Sequence, residues 1–77
     1  MSERESYLKY FGQNLRKIRQ SNSLTQEKLA DLAELDTTYI SGLERGVRNP
    51  SLLSIIKIAR ACSVAPKELL NNIESAV

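Results

Sequence analysis

Between residues 34 and 46 the chain reads ELDTTYISGLERG, which sets the hydroxyls of Thr37, Thr38 and Ser41 and the phenol of Tyr39 within five positions. Reactive use of such hydroxyls needs a base beside them. The chain has no histidine and no glycine-rich phosphate loop, and its carboxylates fall on helical surfaces without a pocket, so no enzyme, metal or cofactor is expected. What remains is hydrogen bonding. Arg45, Arg48 and Asn49 follow the hydroxyl run as long or polar donors, and Gln26 stands upstream of it.

Charge placement narrows the class of partner. Net charge is only +2, with 26% charged and 42% hydrophobic residues, an ordinary balance for a folded domain. The basic residues are nevertheless blocked: Lys9, Arg16, Lys17 and Arg19 lie in an acid-free stretch, as do Arg45, Arg48, Lys57, Arg60 and Lys67. Glu27, Asp31, Glu34, Asp36 and Glu44 collect between them. Such blocks are either solvated faces or footprints for a polyanion, and position in the fold must decide which. No apolar run approaches the roughly 18 residues of a membrane span, and the N-terminus lacks a signal-peptide core, so a cytoplasmic protein with no membrane partner is expected. Cys62 has no second cysteine to pair with and lies in an apolar run, as a reduced core thiol would.

These side chains need elements to hold them, and periodicity supplies five. Leu8, Phe11, Leu15 and Ile18 mark an amphipathic helix over about residues 6 to 21. Thr25 caps a second helix whose inner face is Leu29, Leu32 and Ala33; Asp36 caps a third of about ten residues, with Ile40 and Leu43 inward, Gly42 outward and Gly46 as the stop. Ser51 caps a fourth with Leu52, Ile55, Ile58, Ala59 and Cys62 inward, and Ala65-Pro66 opens a fifth with Leu69, Leu70 and Ile73. No segment reads as a strand. The expectation is an all-α, compact five-helix bundle forming one domain, and at 77 residues its core is small enough to be shared with a partner.

Two short helices joined by a tight turn inside such a bundle are the ingredients of a helix-turn-helix. The stretch QEKLADLAELDTTYISGLER, residues 26 to 45, resembles the helix-turn-helix of the phage-repressor and Cro-like (XRE-type) family, a lambda-repressor-like DNA-binding domain. Leu29 and Ala30 meet its apolar-then-small requirement, Leu35 its apolar residue past the turn, and Ile40 and Leu43 its inner face. Ala30 must be small where Ile40 packs over it. Glu34 stands where the family usually has a turn glycine, and a left-handed backbone there costs about 1 kcal/mol. The resemblance runs from about Phe11 to Leu70. Within it, TYISGLERGVRNPSL is most similar to the controller proteins of restriction-modification systems, although the same words occur in phage regulators and antitoxin-like modules.

The resemblance implies a role for each residue, with the motif over about 25 to 45 binding double-stranded DNA. Arg19 and Glu44 match a structural ion pair. Thr37, Thr38, Tyr39 and Arg48 match base-reading positions, though Thr37 replaces the arginine that commonly precedes the TY pair and removes its bidentate contact to guanine. Thr25, Gln26, Ser41, Arg45, Asn49 and Ser51 fall where the DNA backbone would be gripped, Gln26 at a helix N-terminus that favours phosphate. For Tyr39 the alternative is packing on the domain surface.

Helices four and five, about 51 to 75, carry Leu53, Ile56, Ile73 and Val77 as an apolar surface suited to a homodimer. Dimerisation would set two reading helices about 34 Å apart, on a palindromic operator. The reading implied is an autoregulatory transcriptional regulator without a ligand-sensing domain, two dimers binding cooperatively on adjacent sites, with RNA polymerase as a further partner. An antitoxin-like module with a protein partner is the contrasting class.

Overall fold

Ser2 starts the first helix. Its hydroxyl accepts from the Glu5 amide and the Glu5 carboxylate accepts from the Ser2 amide, a reciprocal capping box that launches α1 at Glu3 and carries it to Ser21. Apolar periodicity places this start near residue 6, because the first turn is held by polar caps that an apolar pattern does not register. In the computed structural model, which describes residues 1–77, there follow α2 (Gln26–Ala33), α3 (Thr37–Glu44), α4 (Leu52–Ala61), α5 (Pro66–Leu69) and a 3-10 turn (Ile73–Ala76). The architecture is all-helical, with no strand, and no helix is long and apolar enough to cross a membrane.

Phe11, Leu15, Leu29, Ala30, Ala33, Ile40, Leu43, Ile58, Ala59, Cys62 and Leu69 form one buried cluster. Helix α1 packs on α3, α5 and the C-terminal turn, while α2 packs on α3 and α4. The α1–α3 approach is close at Gly12, where a Cβ would lie 2.5 Å from the carbonyl oxygens of Leu43 and Glu44. Asn14 stitches the C-terminal end to α1 by donating to the carbonyls of Leu69 and Asn71.

Three leucines expected inside are not. Leu32 is 49% exposed, because at about 100° per residue it falls beside the stripe formed by Leu29, Ala30 and Ala33. Leu52 is the first residue of α4, two turns ahead of buried Ala59 on the same side, and at that helix end it is left 75% exposed. Leu70 follows the last residue of α5 and is also exposed. The fifth helix is only four residues long, since Asn72 adopts a left-handed backbone and Ile73 begins a separate turn. Ile73 is half-buried against the core.

Both ends of the helix-turn-helix close by the same device. At Glu34, φ is 57° and ψ 47°, and the Leu35 amide donates back to the Ala30 carbonyl while Glu34 donates to Asp31, a Schellman closure built without glycine. Gly46, at φ 76°, repeats it after α3, with the Val47 amide on the Gly42 carbonyl and Gly46 on Leu43. Helix α3 is thereby held to eight residues rather than ten.

Candidate nucleic-acid interface

The outward side of α3 follows from what its inward side buries. Ile40, Leu43 and Glu44 are buried, so Thr38, Ser41 and Arg45 fall on the outer half of the helix, Thr38 and Arg45 exposed and Ser41 half-buried. Thr37 is half-buried at the first turn. Asp36 occupies the N-cap position, yet its side chain makes no capping hydrogen bond, and the Thr37 and Thr38 amides have no acceptor within the chain. The positive end of α3 is therefore open, with two free amides beside two threonine hydroxyls. Thr25 does cap α2, accepting from the Lys28 amide at 3.0 Å, and its own hydroxyl proton stays free to donate.

Gly42 departs from expectation. It lies about 200° round the helix from Ile40, which is the outward face, and still it is buried. Its cover is Arg48: a Cβ on Gly42 would collide with the Arg48 side chain. The Arg48 amide donates to the Gly42 carbonyl at 3.2 Å, so the loop after α3 turns back and lays the arginine stem across the glycine. Sequence periodicity cannot register a cover supplied by a residue six positions away and outside the helix.

Tyr39 continues that arrangement. Its ring is half-buried against the core, with the Arg48 guanidinium carbon 5.1 Å from the ring centroid, a cation-π distance. Its hydroxyl donates to Ser54 Oγ at 3.1 Å and accepts a longer contact, 3.4 Å, from the Ser51 amide. Ser51 Oγ in turn caps α4 by accepting from the Ser54 amide and lies 2.9 Å from Ser54 Oγ. The packed position considered for Tyr39 is thus the one it occupies. Ser54 was not singled out by its sequence position; the signal was there, in a serine standing on the buried stripe of α4 where an aliphatic residue would otherwise fit.

Behind the helix lies the ion pair. Arg19 Nε and Nη2 donate to the two Glu44 carboxylate oxygens at 2.5 and 3.0 Å, and Arg19 Nη1 donates to the Leu24 carbonyl. The bonded carboxylate raises the Arg19 pKa further above its ordinary value, against the opposing effect of burial. Gln26 Nε2 donates to the same Glu44 at 3.1 Å, which ties the start of α2 to the end of α3. Its side chain is thereby drawn toward the interior, while the Gln26 backbone amide at the helix N-terminus keeps no intrachain acceptor. Arg45 donates to Ser41 Oγ at a long 3.4 Å, and Arg48 and Asn49 are exposed.

The arrangement suits contact with a polyanion. Two helix N-termini with unsatisfied amides, α2 and α3, carry hydroxyl donors, and an arginine is held across the outward face between them and the following loop. The cleft between α2 and α3 is lined by Glu27, Asp31 and Asp36 besides Thr25, Lys28 and Thr37. Its acids would repel phosphate from the floor of the cleft, which leaves its rim at Thr25 and Thr37, the outward edge of α3 and the loop as the contact surface. No group of three or more histidine, cysteine or acidic side chains is placed to hold a metal ion.

Comparison with known proteins adds to this geometry. The helix-turn-helix family profile (HTH_3) matches residues 15–69. The control protein C.BamHI of Bacillus amyloliquefaciens is 55% identical over 62 residues, covering 79% of this chain and 76% of its own. Among solved structures, the restriction-modification controller protein C.AhdI from Aeromonas hydrophila superposes with a TM-score of 0.79 at 50% identity, over 80% of this chain and 94% of that one. The controller protein C.Esp1396I, solved as a tetramer in complex with its natural 35 base-pair operator, gives a TM-score of 0.78 at 33% identity, over 91% and 92% of the two chains.

Proposed function

This chain belongs to the helix-turn-helix family, and from that premise we propose that it is a sequence-specific DNA-binding transcriptional regulator, the controller protein of a restriction-modification system. The observation that carries the reading is α3 with the loop after it, which offer open amides, threonine hydroxyls and Arg48 on one side while Ile40, Leu43 and Glu44 anchor the other. Its likeness to C.BamHI and C.AhdI over about four-fifths of the chain supports the same conclusion.

In the proposed complex α3 enters the major groove, with Thr37, Thr38 and Arg48 reading bases and Tyr39 acting next to Arg48. Threonine supplies a hydroxyl for phosphate or base and a methyl group for thymine. Thr25, the backbone amide of Gln26, Ser41, Arg45, Asn49 and Ser51 grip phosphates on either side. Leu53 and Val77, 60% and 67% exposed, join half-buried Ile56 and Ile73 in the surface proposed to pair two copies. A homodimer on a palindrome follows, and a tetramer on a longer operator is consistent with the assembly solved for C.Esp1396I. Its place of action is then the cytoplasm, and autoregulation through its own concentration is the corresponding control.

Selection of bound duplexes from a random pool, followed by titration of the winner against salt, tests the proposal. A palindromic consensus whose affinity falls linearly in log–log against salt is the expected result. Binding without sequence preference would remove the regulatory reading.

A further inference from the structure

Within its eight residues, before the capping Arg45, helix α3 carries no long side chain on its outward face, and Gly42 occupies the centre of that face. We propose that Gly42 is a specificity-determining position through its missing side chain: it forms the bed on which Arg48 is laid, so that Arg48 becomes the reading side chain that α3 does not itself carry. This rests on the DNA-binding reading above and names how that same surface is built.

Three independent features fix Arg48 there. Its backbone is hooked, since the amides of Val47 and Arg48 both donate to the Gly42 carbonyl, at 3.0 and 3.2 Å. Its stem is seated, because the space a Cβ on Gly42 would need is taken by the Arg48 methylenes, with Cβ and Cδ each 3.5 Å from that point. Its head is stacked on the ring of Tyr39, and that ring is braced from below by the bond from its hydroxyl to buried Ser54. An arginine so held has lost most of its rotamer freedom before binding, and the entropy of ordering a long side chain no longer opposes the contact. The planar guanidinium also keeps its donors directed for bidentate recognition. Tyr39 and Ser54 are positioning residues in this scheme, acting through Arg48.

Gly42→Ala separates this role from a structural one. Alanine is the better helix former, which offsets the cost of displacing the Arg48 stem, so the variant should melt close to the wild-type temperature. In the DNA-free protein, the Arg48 side-chain protons should be shifted upfield by the Tyr39 ring, and Gly42→Ala should return them toward free-arginine values. Binding to the selected duplex should weaken about tenfold, with preference relaxed at the same base step that Arg48→Ala relaxes. In the Arg48→Ala background, Gly42→Ala should add nothing. Tyr39→Phe, which keeps the ring and removes the Ser54 bond, should cost a smaller factor at that step. Retained upfield shifts in Gly42→Ala, an additive double variant, or relaxation at a different base step would each overturn the inference while leaving the regulatory reading intact. A wild-type protein that selects no sequence would instead overturn both.

Discussion

Arg19 and Glu44 meet fork to fork across the α1–α3 contact, with side chains only 11% and 2% exposed. Both guanidinium-to-carboxylate bonds are formed, and Leu24 and Gln26 take up further hydrogen-bonding capacity of the pair. No buried side-chain nitrogen or oxygen is left without a partner. Two charges can be buried in so small a domain only because each satisfies the other. Glu44→Ala would strand the Arg19 guanidinium and the Gln26 amide together. Loss of about 3–5 kcal/mol in urea unfolding is expected, a large part of the stability of a domain this size. Unfolding and loss of DNA binding should coincide in this variant. A folded Glu44→Ala protein with lost binding would make Glu44 a direct participant in recognition instead.

Cys62 gives the folded chain a pH signature. It is 1% exposed, and burial pushes its thiol above the ordinary range, with Arg19 lowering it and Glu44 raising it to lesser extents. The native state then keeps a proton that the unfolded chain releases, so stability is intact below the unfolded thiol pKa of about 8.5 and declines as pH rises past it. The slope is at most about 1.4 kcal/mol per pH unit. Denaturation curves between pH 7.5 and about 10 should show this decline, and Cys62→Ala should remove it whatever its own packing cost. An unchanged slope in the variant would assign the alkaline loss to other groups.

The sequence made most of this scaffold legible because its signals are local. Thr25 and Ser51 stand one residue before helices they do cap, and Leu15, Ile40, Leu43 and Ile58 recur with the helical period that buries them. The left-handed turn at Glu34 was implied by its place in the motif, despite the absent glycine. What failed were inferences about faces near helix ends and about long-range cover. Leu32 satisfies the composition of an inner face but misses its angle, Leu52 lies at the exposed first turn of its helix, and Gly42 satisfies the angle of an outer face and is covered by Arg48. The Tyr39–Ser54 bond joins residues 15 apart on different helices, and no periodicity in either helix encodes it.

Arg45 and Arg48 should separate phosphate from base contact. Arg45 is exposed beyond α3 and bonded only weakly, through the 3.4 Å contact to Ser41. As a phosphate ligand it contributes charge without sequence information. Arg45→Ala should weaken all duplexes by a similar factor and reduce the salt slope by about one unit. Arg48→Ala should change the ranking of duplexes, with about 1–3 kcal/mol of discrimination lost at one base step. Parallel binding isotherms on the selected operator and its single-base variants distinguish the two; equal behaviour of both variants would show that Arg48 grips the backbone only.

Leu53 should report whether two copies pair through α4. Leu53 lies opposite the buried stripe of that helix and is 60% exposed, with Leu52 75% exposed beside it and Val77 67% exposed at the C-terminal turn. Several large apolar side chains left in water on one small domain mark an interface more readily than a free surface. Leu53→Asp adds a charge that burial between two copies would leave desolvated and, at a two-fold contact, facing its own symmetry mate. Because the side chain is exposed in the single chain, the melting temperature of the dilute monomer should hardly change. Sedimentation at micromolar concentration should find wild-type dimers and Leu53→Asp monomers, and the variant should bind a single half-site as before while losing the advantage of the full palindrome. A variant that still sediments as a dimer would move the interface away from α4.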